Sequence, residues 1–180
     1  MTEWIGLLRG INVGGRNVIA MSDLRDLLAS LGFAGAHSLL QSGNLVFRGA
    51  AGAGAALEQR LEAETAKRLA VRPDWLVRTA REWRALVAAN PFPAEARRDP
   101  ARLAVMLLKQ PPKAADLRAL QVGVRGPETV RGAGRELYVV YPDGMGRSKL
   151  TGALIEGRLG VRGTARNWNT VLRIAALLGA

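Results

Sequence analysis

Apolar and polar residues follow two different periods in the first half of the chain. Residues 3–9 form a short, largely apolar run that predicts a strand, and the glycine- and asparagine-rich segment 10–17 ends it. The leucines of segment 24–31 have the i, i+3, i+4, i+7 spacing of an amphipathic helix, with Ser22 placed to cap that helix and Gly32 to end it. The chain therefore opens with a strand and a helix.

A hairpin and a second helix complete this pattern. Segments 36–41 and 45–48 predict two strands joined by a turn at 42–44. Leucines within 57–69 mark a second helix, and a strand at 74–78 follows. The order βαββαβ is that of a split βαβ, or ferredoxin-like, arrangement, in which two helices cover one face of an antiparallel sheet.

The second half of the chain shows the same kinds of element after a connector with prolines at 91 and 93. Its predicted elements are a strand at 103–109, a helix at 114–121, strands at 128–131 and 136–141 joined by a turn at 132–134, and helices at 149–157 and 166–178. We therefore predict an α+β fold of two βαββα, ferredoxin-like halves with antiparallel sheets and C-terminal helices. The predicted halves are 1–79 and 102–180, and the predicted connector is 80–101.

Composition removes several classes of chemistry. The chain has no cysteine, which excludes disulfides, thiol nucleophiles and cysteine-ligated metals, and His37 is its single histidine. We predict no metal and no cofactor. Apolar runs are too short to cross a membrane, and the N-terminus lacks the features of a secretory signal, so a cytoplasmic protein without a membrane partner is expected.

The charge is strongly basic, with 26 Lys and Arg residues against 15 Asp and Glu and a formal net charge of +11. Such an excess favours anionic partners through long-range attraction. Only four of these cations are lysine, and the chain is rich in alanine and glycine, so the bias of a GC-rich genome is an equally good explanation. The charge alone does not decide between the two.

Two polar motifs lie in the first half. The first loop, residues 9–17, combines glycines with side chains that can hold an anion near a helix start, although it can equally be a tight turn. Its candidate residues are Arg9, Asn12, Gly14, Gly15, Arg16 and Asn17. The hairpin turn, residues 41–44, offers Gln41, Ser42 and Asn44, and the split βαβ order places it beside the first loop.

Two further motifs lie in the second half. The basic loop, residues 147–150, leads from a strand towards a helix and offers Arg147, Ser148 as a cap, and Lys149 as groups for a phosphate. The last segment, residues 164–170, is predicted to open the final helix. Its candidate residues are Arg166, Asn167 and Asn169, because asparagine gains little in a first helical turn unless it caps or contacts something.

At these four motifs the sequence resembles an uncharacterised bacterial family known only as a domain of unknown function, serial 1697. The shared stretches are LRGINVGGRN at 8–17, QSGNLVF at 41–47, RSKL at 147–150 and TARNWNT at 164–170. The resemblance implies a compact α+β fold, and it implies no catalytic residue.

Three functions stay open at this stage. The leading expectation is binding of a phosphate-bearing anion, either a nucleic-acid backbone or a nucleotide, through the residues of the four motifs. The second is an enzyme acting on a small phosphorylated or carboxylated metabolite, with Asp143 or Lys149 supplying the chemistry. The third is a protein interaction module. A concave pocket favours a small-molecule site, whereas a flat basic strip favours nucleic acid.

Overall fold

The first part of the chain folds in the predicted order. The computed structural model describes residues 1–12, 14–15 and 17–179. The elements of this part are β1 (Thr2–Arg9), α1 (Met21–Ser30), β2 (Ala34–Leu39), β3 (Asn44–Gly49), α2 (Gly54–Leu69), β4 (Asp74–Thr79) and α3 (Ala80–Ala88). Each predicted strand and helix is present, with bounds shifted by up to three residues.

The first sheet has the strand order β2-β3-β1-β4, and every neighbouring pair is antiparallel. This is the order of the ferredoxin-like arrangement, so the predicted fold class is confirmed. Leu24 and Leu28 of α1 and Leu61 of α2 pack in one core with Phe47 and Trp75 of the sheet. The spacing that predicted the helices thus marks the side chains that cover the sheet.

The second part repeats this topology. Its elements are α4 (Pro93–Arg98), a 3-10 turn at Pro100–Arg102, β5 (Leu103–Leu108), α5 (Ala114–Gly123), β6 (Thr129–Ala133), β7 (Glu136–Val140), a 3-10 turn at Met145–Arg147, α6 (Gly152–Leu159), β8 (Gly163–Asn167) and α7 (Trp168–Ala176). The strand order β6-β7-β5-β8 is equivalent to that of the first sheet. Side chains of α5 and α6 share a core with Ala104, Met106 and Leu108 of β5.

Strand β8 was missed by the sequence analysis, which assigned residues 164–170 to the start of the last helix. Thr164 instead lies in the strand, opposite Leu107 of β5. The cap of α7 is Asn167, whose Oδ1 accepts a hydrogen bond from the Thr170 N–H at 2.9 Å. Arg166 occupies a buried position of this strand. A hydrophobic residue there would have indicated a strand in the sequence, whereas an arginine does not.

The predicted serine caps are also wrong. Helix α1 begins after Ala20, which provides no side-chain cap, and Ser22 lies in the first turn with its Oγ 3.4 Å from an Asp23 carboxylate oxygen. Helix α6 begins after Thr151, whose Oγ1 accepts from the Leu154 N–H at 3.2 Å. The predicted cap Ser148 lies three residues earlier in sequence and takes another role.

The two sheets protect their outer strands in the same way. β4 and β8 each lie at the edge of a sheet. The Trp75 N–H of β4 donates to Glu62 Oε1 of α2 at 2.9 Å, and the Gly163 N–H of β8 donates to Glu156 Oε1 of α6 at 2.8 Å. A helix carboxylate thus satisfies an edge-strand N–H that would otherwise need water or another strand.

The chain folds as two compact units. The first contains Met1–Ala85 together with the residues from Ile174 onwards, and the second contains Leu86–Arg173. These bounds differ from the predicted halves in two ways. The predicted connector, 80–101, is divided between the two units, and the residues from Ile174 onwards belong to the first unit. Among the described residues, no helix is both long and apolar enough to cross a membrane.

Candidate anion-binding site

The first loop is stabilised by its own asparagines. Asn12 Nδ2 donates to the carbonyl oxygens of Ile19 at 3.0 Å and Gln41 at 2.8 Å, and Asn12 Oδ1 accepts from the Ile19 N–H at 2.9 Å. Asn17 Nδ2 donates to the Gly10 carbonyl at 2.8 Å. Both asparagines have a left-handed φ, 53° and 49°, which this residue tolerates better than most. These amides hold the loop in shape.

The hairpin turn lies against the first loop, as the neighbouring strands predicted. The Gly43 carbonyl accepts from the Leu8 N–H at 2.9 Å. Gly43 has a φ of +71°, and a Cβ there would lie 2.8 Å from both Leu8 Cβ and Ile11 Cδ1, so both conformation and space require glycine. Asn44 is 1% exposed, and its Nδ2 donates to Ser42 Oγ at 2.9 Å. The turn is therefore part of the packed structure.

The other candidate groups of these two motifs differ in accessibility. Arg9 forms an ion pair with Asp74 of β4, with 3.2 Å between Nη1 and Oδ2. The exposed candidate residues of the two motifs are Gly14, Gly15, Asn17, Gln41 and Ser42. Arg16 lies outside the described residues. The first loop and the hairpin turn thus come together in the first unit, and their best-placed amides are used within the protein.

The basic loop of the second unit is held in place by hydrogen bonds. Ser148 Oγ donates to Glu128 Oε1 in a short hydrogen bond and accepts from the Leu150 N–H at 2.9 Å. The hydroxyl of Tyr141 donates to the Leu150 carbonyl at 3.1 Å. Ser148 is partly buried and Leu150 is buried. Three hydrogen bonds therefore fix the segment between the exposed residue Arg147 and the start of α6, with Lys149 held between the two anchored residues.

The charge state of Tyr141 suits this arrangement. Burial, and to a lesser degree the negative charge of Glu128, raise the pKa of Tyr141 to about 12. The phenol therefore stays neutral at physiological pH and remains a donor. A Cβ at Gly126 would clash with Glu128 Oε2, so the glycine leaves room for the carboxylate that accepts the Ser148 hydrogen bond.

The basic loop forms one wall of a pocket of about 450 Å³, which we call the basic pocket. Its other walls come from the segment between α5 and β6 and from α6. The charged lining residues are Arg125, Glu128, Asp143, Arg147, Lys149 and Arg158. Four cations thus surround the cavity with two carboxylates, and a concave surface concentrates the resulting positive field. Small-molecule sites have this range of volume.

The last segment does not line the basic pocket. Arg166 pairs with Val105 of β5, and side chains alternate along a strand, so Arg166 lies on the face of the sheet opposite the one that α5 and α6 cover. Its Nη1 donates to Thr164 Oγ1 at 2.7 Å and to the Ala165 carbonyl at 2.8 Å. Burial lowers the pKa of Arg166 to about 10, which leaves it charged at neutral pH.

Asn167 and Asn169 also lie apart from the basic pocket. Asn167 is the cap of α7, as described above, and Asn169 is exposed in the first turn of that helix. Neither residue is among those that line the cavity. The expectation that asparagines at a helix start have a specific task is met at Asn167 by capping.

Similarity to a known protein family covers most of the chain. Residues 1–138 match the model of a family described as protein of unknown function (DUF1697). The chain belongs to DUF1697. The match contains the first loop and the hairpin turn, and it ends before the basic loop and the last segment. The resemblance of these two later motifs to DUF1697 therefore stays a prediction.

A solved structure extends the similarity in fold beyond the DUF1697 match. The conserved bacterial protein SP0830 from Streptococcus pneumoniae superposes with a TM-score of 0.72 and 22% identity over 97% of each chain. At this level of identity the similarity shows the fold alone. No curated protein is significantly similar in sequence to this DUF1697 chain.

Several residues of the basic pocket were missed by the sequence analysis of this DUF1697 member. Arg125 and Glu128 lie between α5 and β6, and Arg158 lies on α6, with no local motif to mark them. The sequence offered only its overall excess of basic residues, which does not single out these positions. Within the described part of the chain, no three His, Asp or Glu side chains come together as metal ligands.

Proposed function

We propose that this protein binds a phosphate-bearing anion, a nucleotide or a nucleic-acid backbone, in the basic pocket. The observation that carries the proposal is the grouping of Arg125, Arg147, Lys149 and Arg158 around one cavity of about 450 Å³. Arginine binds phosphate oxygens in a bidentate manner, and lysine adds a compact point charge. The proposal keeps the cytoplasmic location that the sequence predicts.

The anchoring of the basic loop supports this function. A loop that is already held in its bound conformation loses little conformational entropy when a ligand binds. The hydrogen bonds of Ser148 and Tyr141 order the backbone on both sides of Lys149. The net charge of +11 adds long-range attraction for an anion.

The first loop has a smaller part in the proposed binding. Asn12 and Asn44 were expected to contact an anion, but their side-chain amides donate to groups of the protein. Arg9 forms an ion pair with Asp74. We therefore propose the second unit as the place of ligand binding.

The test compares two double variants that remove the same charge. Arg147→Ala/Lys149→Ala removes two cations of the basic pocket. Lys113→Ala/Arg118→Ala is the control, because both residues are exposed in the second unit and neither lines the pocket. Binding of labelled single- and double-stranded DNA and RNA is measured by fluorescence anisotropy, and binding of inorganic pyrophosphate by calorimetry, each at two salt concentrations.

We expect the pocket variant to bind about 10–100-fold more weakly than the native protein, since each hydrogen bond to a charged group contributes roughly 1.5–3 kcal/mol. The control variant should retain most of the affinity. Binding of the native protein should weaken as salt is raised. Equal losses in the two variants would show that the proposal is wrong, and so would the absence of binding of these anions and of every nucleotide tested.

A second candidate function is an enzyme acting on a small phosphorylated metabolite in the same pocket. The observation that favours it is the presence of Asp143 and Lys149 in one concave site, where a carboxylate can act as a general base. Catalysis would appear as consumption of the bound compound over time in proton and phosphorus NMR. Asp143→Asn should then stop turnover and leave binding intact, whereas a pure binding protein shows no turnover before the substitution.

A further inference from the structure

The basic pocket has two chemically different parts. Its charged residues were described above, and the rest of the lining consists of Ser148, two glycines and four apolar residues, which we call the aliphatic wall. The apolar side chains that line it are Val124, Pro127, Leu150 and Leu154. Leu154 is 40% exposed near the start of α6, so its side chain is open to contact from a ligand in the cavity. Inorganic phosphate or a sugar phosphate would leave these side chains without an apolar partner.

We propose that the ligand of the basic pocket is a mononucleotide of the ribose series, with its phosphate at Arg147 and Lys149 and its base against the aliphatic wall. This inference rests on the proposed function, because it specifies the ligand class of the same site. A nucleotide has three parts that match this lining. Its phosphate is anionic and suits the cations, its ribose carries two hydroxyls that suit a carboxylate, and its flat base has apolar faces that suit the aliphatic wall.

The carboxylate of Asp143 is the group that would recognise the sugar. Asp143 is exposed and lines the cavity together with the basic loop, only four residues from Arg147 in sequence. A carboxylate accepts hydrogen bonds from ribose hydroxyls, as it does in dinucleotide sites. It would also repel a second phosphate placed nearby, which favours a ligand with its charge at one end.

The lining argues against a nucleic-acid polymer as the main ligand. Proteins that hold single strands stack successive bases on aromatic side chains along an extended basic groove. Among the described residues that line the basic pocket there is no aromatic side chain. The cations instead surround one cavity whose volume is that of a small-molecule site. A guanidinium plane such as that of Arg125 or Arg158 can cover a single base.

The experiment measures affinity by calorimetry for a graded set of probes. The probes are the four common ribonucleoside 5′-monophosphates, their deoxy forms, ribose 5-phosphate, the free nucleosides, inorganic pyrophosphate and a short single-stranded RNA. At least one ribonucleotide should bind about tenfold more tightly than both ribose 5-phosphate and its own nucleoside. It should also bind several-fold more tightly than its deoxy form, and Asp143→Ala should remove that difference.

The aliphatic wall is tested with Leu154→Gln and a matched control. Leu172 is a suitable control because it is 43% exposed on α7 and does not line the basic pocket. Leu154→Gln should weaken ribonucleotide binding about fivefold and leave ribose 5-phosphate binding unchanged. Leu172→Gln should change neither affinity.

The outcomes separate this inference from the proposed function. If pyrophosphate or ribose 5-phosphate binds as tightly as every ribonucleotide, the pocket binds phosphate and the nucleotide inference is overturned. The same conclusion follows if the RNA binds more tightly than all mononucleotides. If no probe binds at all, both the inference and the proposed function are wrong.

Discussion

Replacing Glu58 by alanine is expected to destabilise the first unit, because this carboxylate completes the hydrogen bonding of an edge strand. β4 has a neighbouring strand, β1, on one side only. On the other side, the Val77 N–H donates to Glu58 Oε1 at 2.8 Å. Both residues are buried, Glu58 at 3% and Val77 at 0% exposure, so water has little access to the N–H in place of the carboxylate.

The size of the effect follows from these contacts. A buried N–H that loses its acceptor costs roughly 1–3 kcal/mol. The buried methylenes of the Glu58 side chain add about 1 kcal/mol. We therefore expect the free energy of unfolding to fall by about 2–4 kcal/mol, which lowers Tm by roughly 4–16 °C in a protein of this size.

Two further variants make the reasoning testable. Glu58→Gln keeps an acceptor oxygen and should lose less stability than Glu58→Ala. Gln59→Ala changes an exposed neighbour on the same helix and should be nearly neutral. Stability is followed by urea unfolding with tryptophan fluorescence, since Trp4, Trp75 and Trp83 are buried.

Amide hydrogen exchange then tests the bond itself. The Val77 amide should exchange faster in Glu58→Ala relative to the native protein, because its protecting acceptor is gone. The reasoning is refuted if Glu58→Ala unfolds within about 0.5 kcal/mol of Gln59→Ala, or if the Val77 amide exchanges at the native rate.

Three other predictions concern ionisation, the basic loop and a glycine. Burial raises the pKa of both tyrosines, that of Tyr141 to about 12 and that of Tyr138 further. Their contribution to stability is therefore complete below about pH 10, the unfolded value, and is lost as pH rises through the folded pKa. Ultraviolet absorbance at about pH 11 should show tyrosinate in the denaturant-unfolded chain and almost none in the folded protein. Ser148→Ala removes two hydrogen bonds and should lower the free energy of unfolding by about 1–2 kcal/mol. It should also weaken pyrophosphate binding, although every cation of the basic pocket is kept. Unchanged affinity would show that the anchoring of the basic loop is not needed for binding. Gly43→Ala combines a φ of +71° with two contacts of 2.8 Å and should cost more than about 2 kcal/mol, whereas Gly146→Ala, with open space around it, should be neutral in the same unfolding assay.

Local signals in the sequence predicted the structure most accurately. The leucines of α1 predicted that helix because residues three and four apart share one face, and the same residues cover the sheet in the structure. The glycine-bearing turn at 42–44 likewise predicted the first hairpin. The split βαβ order then implied that the first loop and the hairpin turn are neighbours, and the hydrogen bond from Asn12 to Gln41 confirms this.

Local sequence patterns did not predict the role of a side chain where that role depends on distant partners. Serine is common at helix caps, but the hydroxyl of Ser148 donates to Glu128, twenty residues earlier in the chain. Asparagine amides can bind a ligand, but those of Asn12 and Asn44 form hydrogen bonds within the protein. A polar side chain has no intrinsic preference between ligand and protein, so only the neighbours that folding brings to it decide.

By itself, the sequence determined the order of strands and helices in the first part, the α+β class and the absence of cysteine chemistry, because periodicity and composition depend on each segment alone. The tertiary structure decided the rest. It made residues 163–167 an edge strand, because β5 pairs with them and Glu156 satisfies the Gly163 N–H. It also brought Arg125, the basic loop and Arg158 around one cavity. Such a cavity exists only when segments distant in sequence pack together, and no property of any one of them predicts it.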